Sequence, residues 1–457
     1  MILGPTFEEM LHPETIKPHV RRRALEARSL DALDPVALFN ITWRDARNDI
    51  RCVVLPRELT GVESPIVLLY GSEFPTGSHK VGVAYSTLVS RQVLGQADPR
   101  VHTLVWPSIG NYGIGGAWVG LQMGYQSIVL MRVGVSHERF QLLEDCGATV
   151  IKTPDSISNI REISERASEM CRGHKLRILS QFEAMDNYRF HYYVTGNTLV
   201  ELADALRTQG IGQGRIAAFC SGMGSAGTIA AGDRLKQAWP ELEIVGLEPI
   251  QCSTLYNNGY GPHGIHGIAD QQVAWIHNVM NMDAIACVDD VECKKGLQAL
   301  VEEPGLCALI DLGVPETQAR KLSTILGVSG VCNILGAIKT ARFYGFGPHD
   351  VIATVCTDGI DHYYSSLADL TATYGKMDKA EASVRLRNIF HGQNTDCIRE
   401  GTREMRRQWH NLKYHIWVEQ QGKSVRELDT QLDPGWWLCE QAQVAEIDRR
   451  IEAARRW

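Results

Sequence analysis

From about residue 100 the chain alternates short apolar runs with longer amphipathic ones, and this rhythm limits the fold more than any other feature. VHTLVW (101–106), SIVLM (127–131) and TVIKT (149–153) read as strands. GIGGAWVGLQMG, between the first two, reads as a helix whose small residues allow close packing. SHERFQLLEDCG has a serine N-cap, a helical period and a closing glycine. SISNIREISERASEM reads as the next helix and LRILSQF as the strand after it. The rhythm returns with TLVELADALRTQG, RIAAFCSGM, TIAAGDRLKQAW and EIVGLEP. Strand–helix alternation at this spacing implies right-handed crossovers and an α/β fold, with helices on both faces of a parallel sheet.

The pattern changes near residue 375. From Lys376 to Trp457 the chain is charged and helix-prone, with several tryptophans and few strand signals. We read it as a helical C-terminal extension that packs on the main body or on a second subunit.

Composition narrows the function. A length of 457 residues, 44% hydrophobic and 22% charged, suits a soluble protein of two or three domains. A net charge of −7 with no basic stripe argues against nucleic-acid binding. Twelve scattered cysteines without a Cys-x-x-Cys pair read as reduced, buried thiols rather than a zinc site or a disulfide frame. The N-terminal MILGPTFEEMLHPE has early acids and no apolar core, so it does not read as a signal peptide, and no apolar run is long enough for a membrane span. The expected compartment is the cytoplasm.

Ligands of open parallel sheets sit beyond the carboxyl ends of the strands. After VHTLVW comes PSIGNYGIGG (107–116), where Gly110, Gly113, Gly115 and Gly116 permit a tight turn and Asn111 adds a polar group. After RIAAFC comes SGMGSAGTIAAG (221–232), with Gly222, Gly224 and Gly227 spaced G-x-G-x-x-G ahead of a helix. Such a loop cradles phosphate through successive backbone N–H groups. It also fits a nicotinamide dinucleotide site, with Glu248 at the distance of a ribose-binding acid. HGIHGIAD (263–270) reads as a loop lining a site; His263 and His266 have no third metal ligand near them in sequence. GVSGVCN (327–333) starts another helix, and TDGIDHYYSS (357–366) follows the strand VIATVC.

EFPTGSHKVG (73–82) places Lys80 where a tight loop becomes a helix. Helix N-termini favour anions and disfavour a cation, so a lysine there has a lowered pKa or is no free ammonium. The plainer reading is a solvated lysine in a surface turn.

Taken in order, these segments resemble the pyridoxal-phosphate (PLP) enzymes of the tryptophan-synthase-β fold, fold type II. Cysteine synthase, cystathionine β-synthase, threonine deaminase and diaminopropionate ammonia-lyase belong to that group. The likeness runs from roughly Leu55 to Leu367, about two thirds of the chain. PTGSHK resembles the lysine motif, GNYGIGGA the Gly-Asn-Thr-Gly loop, and GMGSAGT the phosphate loop, with Ala226 where glycine is frequent. QFEAMDNYRFHYYVTG resembles the segment leading back into the large domain, HGIHGIAD the Gly-Ile-Gly segment, and GVSG the helix start that offers a serine to the pyridine nitrogen.

The resemblance implies two open parallel-sheet domains: residues 1–84 with 196–375 as the large PLP-binding domain and 85–195 as a small mobile one, followed by the extension 376–457. It implies that Lys80 binds PLP and removes the substrate α-proton. Asn111 would meet the ring hydroxyl; Gly222, Gly224, Ser225, Ala226, Gly227 and Thr228 the phosphate; and Ser329 the ring nitrogen, with Asp358 as an alternative. Ser108, Ile109, Gly110 and Tyr112 would form the substrate-carboxylate loop. The implied reaction is β-elimination or β-replacement on a small amino acid through an aminoacrylate, or an ammonia-lyase or dehydratase reaction, in a homodimer. Rival readings are an NAD-dependent oxidoreductase and a non-catalytic partner subunit of the same fold.

Two departures stand out. The family loop Thr/Ser-Ser-Gly-Asn-Thr is Ser108-Ile109-Gly110-Asn111-Tyr112 here, which alters the carboxylate contact. Val81-Gly82 follows the lysine where the family often has Asp or Arg.

Overall fold

The computed structural model describes residues 2–28, 34–108, 110–132, 137–153, 167, 169, 175–269 and 271–455. Eleven strands build two sheets: β1 (Cys52–Val54), β2 (Ile66–Tyr70), β3 (Thr103–Pro107), β4 (Ser127–Arg132), β5 (Thr149–Thr153), β6 (Leu176–Ile178), β7 (Ile216–Gly222), β8 (Glu243–Pro249), β9 (Ala284–Val288), β10 (Val351–Cys356) and β11 (Ile398–Glu400). The larger sheet runs β1-β2-β10-β7-β8-β9-β11 and the smaller β5-β4-β3-β6. The smaller sheet is parallel throughout, and so is the larger one between β2 and β9. Every residue of β2, β9 and β10 is buried, as strands covered by helices on both faces require.

Six helices matter for the site and its support: α1 (Lys80–Val93), α2 (Asn111–Gln122), α3 (His137–Asp145), α4 (Val328–Tyr344), α5 (Arg403–Asn411) and α6 (Pro434–Ala454). α1 and α2 cross closely at a glycine: a Cβ on Gly115 would lie 2.9 Å from Val81 Cα, the close packing that GIGGA suggested. Gly82 makes room for a different segment, since a Cβ there would lie 2.2 Å from Phe190 Cζ.

The strands read from the sequence are found, and α2 and α3 follow two of them. The serine assigned as N-cap of α3, Ser136, and most of the helix expected over SISNIREISERASEM lie outside the described residues. The C-terminal extension packs on the main body. Trp409 Nε1 on α5 donates to Leu255 O (3.1 Å) and Trp417 Nε1 to Val273 O (2.8 Å). The buried Lys413 donates from Nζ to Trp275 O, His277 O and Gln431 Oε1 at 3.0, 2.6 and 2.6 Å. The extension is also less purely helical than its composition suggests. β11 pairs antiparallel with β9, Ile398 opposite Ala286, and closes that side of the sheet.

Candidate active site

The lysine loop is pinned to the carboxyl end of β10. Gly71 N donates to Cys356 O (2.8 Å), His79 N to Thr357 O (3.3 Å), and Ser78 bridges to Asp358. Lys80 therefore opens α1 at the carboxyl edge of the large sheet, where open α/β folds bind ligands. Its Nζ donates to Ser225 Oγ (3.1 Å) and Gln181 Oε1 (3.3 Å). Asn187 Nδ2 secures both partners, donating to Ser225 Oγ (3.0 Å) and Gln181 O (2.8 Å). His79, just before Lys80, is wholly buried; burial first, and then the charge of Lys80, push its imidazole down to about 3, so it stays neutral.

Lys80, Asn111, Gly110, Arg139, Gln181 and Ser329 line one cleft, with Ser108, Tyr112, His266 and Thr357 at its walls. Ser329 is buried in the first turn of α4. Asn111 Nδ2 donates to Asp358 Oδ2 (2.6 Å), and its Oδ1 meets His362 Nδ1 (3.0 Å). Tyr363 OH also donates to Asp358 (2.9 Å to Oδ2). Burial would raise the Asp358 carboxyl, but hydrogen bonds from His362 and Asn111 and the charge of Arg139 outweigh it and hold the group below the usual carboxylate range.

Several nominated residues have other engagements. Ser108 Oγ accepts from Gly110 N (3.1 Å) and Gly113 N (2.8 Å), so the hydroxyl serves the turn into α2. Tyr112 OH donates to Leu179 O (3.1 Å), away from Lys80. Ile109 lies outside the described residues. Glu248 is buried and accepts from Leu255 N and Tyr256 N, which holds a turn and leaves no carboxylate for a ribose. His263 Nε2 meets Ala269 O (3.1 Å). Arg139, Gln181, Asn187 and His362 were not singled out from the sequence. Their partners lie far along the chain, 219 residues in the case of Arg139, and only LRILSQF marked the end of the strand that delivers Gln181.

The residues present fit pyridoxal phosphate on three counts. Among the described residues, no acceptor meets the backbone N–H groups of Gly224, Ser225, Ala226, Gly227 or Thr228, so a row of donors faces one loop. The loop is built tightly: Ala226 is left-handed at φ 57°, and a Cβ on Gly227 would fall 1.9 Å from Asn187 Oδ1. The amine of Lys80 reaches that same loop through Ser225.

The family described as pyridoxal-phosphate dependent enzyme matches residues 51–309, more than half of the chain. A cysteine synthase of Staphylococcus aureus is 28% identical over 293 residues, covering 64% of this chain and 85% of that one. An O-ureido-L-serine synthase of Streptomyces lavendulae is 27% identical over 250 residues, covering 54% and 74%. Among solved structures, a cysteine synthase of Entamoeba histolytica superposes with a TM-score of 0.61 at 21% identity, over 74% of this chain and 92% of that one, a likeness of fold. A lysine at a helix start, a phosphate-sized row of free N–H groups and a family match across both thus converge: the chain belongs to the pyridoxal-phosphate dependent enzymes.

Proposed function

We propose that this enzyme acts at the β-carbon of a small amino acid, by β-replacement or β-elimination in the manner of a cysteine synthase. The observation that carries the reading is Lys80 Nζ, 3.1 Å from Ser225 on the phosphate-type loop and inside the same cleft as Asn111 and Ser329. Relatives named cysteine synthase and O-ureido-L-serine synthase support it. Bound in this cleft, pyridoxal phosphate supplies an electron sink for the bond broken at the substrate α-carbon.

The chain's own residues divide the remaining work. Lys80 would hold the cofactor covalently, and its amine is the base for the α-proton. Gly224, Ser225, Ala226, Gly227 and Thr228 would hold the phosphate, whereas the Gly222 N–H is spent on Asn333 Oδ1 (2.8 Å); Asn111 would meet the ring hydroxyl and Ser329 the ring nitrogen. Asp358, already occupied by Tyr363 and Asn111, orients Asn111 instead. A neutral hydroxyl at Ser329 does not keep a proton on the ring nitrogen, which weakens the sink. Loss of a β leaving group then competes well with transamination.

We read residues 1–84 with 196–375 as the cofactor domain and 85–195 as the mobile one, in a cytoplasmic homodimer. The division of the strands into two sheets supports the two domains.

The test is a visible absorption spectrum of the purified protein, alone and with serine, O-acetylserine, cysteine, threonine and diaminopropionate in turn. A yellow protein whose band disappears in Lys80→Ala is expected, with a new red-shifted band for one amino acid. Consumption of an added thiol separates replacement from elimination to a keto acid. A colourless protein that takes up no added pyridoxal phosphate would sink the reading.

A further inference from the structure

The cleft holds one cation that the reaction above does not use. Arg139 projects from α3, is 1% exposed, and lies over the ring of Tyr363 at 4.9 Å. Among the described residues its one ionic contact is long, Nη2 to Asp358 Oδ2 at 3.4 Å, and Asp358 is already served by Tyr363 and Asn111. Arg139 Nε and Nη1 are buried with no hydrogen-bond partner. Buried guanidinium donors left unmade are costly, so such a group marks a place where an anion completes the structure.

The position of Nε identifies the place. A Cβ on Gly110 would lie 3.8 Å from Arg139 Nε, so the guanidinium covers the turn into α2. The backbone N–H groups of Asn111 and Tyr112 open that helix and have no acceptor among the described residues. A helix N-terminus and an unpartnered arginine therefore face one spot. The side chains of the carboxylate loop supply nothing comparable, since the Ser108 and Tyr112 hydroxyls are spent on Gly110, Gly113 and Leu179.

Resting on the β-carbon reading above, we propose that Arg139 is a substrate-binding residue that holds the α-carboxylate of the amino-acid substrate, a role in place of a loop hydroxyl. The substrate carboxylate takes the donor on Nε, the guanidinium nitrogen beside the turn at Gly110, while Asp358 and the Tyr363 ring keep the guanidinium oriented. Charge-assisted hydrogen bonds of this kind are worth about tenfold to a hundredfold in affinity.

The experiment is a spectroscopic titration of the holoenzyme and of Arg139→Gln and Arg139→Lys with the five amino acids named above. The tightest binder is then compared with its carboxamide and with O-phospho-L-serine. Retained visible absorbance in each variant shows that fold and cofactor site are intact. The expected result is a dissociation constant raised about tenfold to a hundredfold for the acid in Arg139→Gln, partial recovery in Arg139→Lys, and no change for the carboxamide. Equal losses for acid and carboxamide would make Arg139 a structural residue and overturn the proposal. A loss confined to O-phospho-L-serine would overturn it in favour of a second acid on the side chain. A yellow wild type that responds to none of the amino acids overturns the β-carbon reading itself, and the inference with it.

Discussion

In the proposed function the choice of reaction turns on Ser329. It stands buried in the first turn of α4 within the cleft that contains Lys80. An acid at this position would hold a proton on the ring nitrogen and deepen the electron sink. Ser329→Asp is expected to gain transamination of L-alanine, which has no β leaving group, read as pyruvate. It should lose elimination by about tenfold, close to 1.4 kcal/mol of barrier. Unchanged rates for both would remove Ser329 from the argument. Gly227 makes a second prediction. Any side chain there meets Asn187, which holds both Ser225 and Gln181. Gly227→Ala should weaken cofactor uptake by at least about tenfold, measured by titrating the apoprotein with pyridoxal phosphate and following its absorbance. At this scale local strings were enough to nominate Lys80, Asn111 and the loop 224–228, and the fold brings Lys80 and Asn111 into one cleft with Ser225 within reach of the amine. It was silent on Arg139, because an arginine in an amphipathic helix looks solvated until a chain segment 219 residues away covers it.

Between elements, the contact that matters most is the crossing of α1 on α2. It sets Lys80 against Asn111, and it depends on Gly115 approaching the Val81 backbone. Backbone cannot swing aside as a side-chain tip can, so Gly115→Val should cost about 1–3 kcal/mol and move Asn111 away from the lysine. Chemical denaturation measures the first effect and cofactor affinity the second; a variant with wild-type values of both would refute the crossing as the positioning device. Most strands were readable because buried parallel strands are continuous apolar runs. β1 and β11 were not, since each is a three-residue strand at an edge of the larger sheet, outside the regular strand–helix alternation. β2 and β9 have clear apolar runs, IVLLY and AIACV, but they lie outside the stretch where the alternation is most regular.

For the molecule as a whole, stability follows pH through a group the nicotinamide reading had claimed. Glu248 is buried, and burial lifts its carboxyl to about 7, against an ordinary 4.5, although the N–H groups of Leu255 and Tyr256 act the other way. A carboxyl raised in the folded state binds its proton more tightly there than in the unfolded chain. Its contribution is complete below about 4.5 and is lost as pH rises through about 7. Glu248→Gln keeps an acceptor for both N–H groups and removes the titration. Its melting temperature should fall less than that of the wild type between pH 5 and pH 8, a difference of up to about 3 kcal/mol. Parallel curves would refute this. The parallel α/β architecture was legible because alternation of strand and helix leaves few topologies, and its division into two sheets came with the family resemblance, whereas the seat of the extension depended on contacts such as Lys413 with Trp275 that no local pattern encodes.

The pairing of β11 with β9 bears on how the chain is made. β9 is AIACV, buried throughout, and it remains an open, apolar sheet edge until residues 398–400 lie beside it. An open edge of this kind is a template for any other strand. On a ribosome, more than a hundred residues separate the emergence of Val288 from that of Glu400. Synthesis therefore includes an interval in which neighbouring nascent chains can stitch together along this edge, and the short strand near the end of the chain closes it.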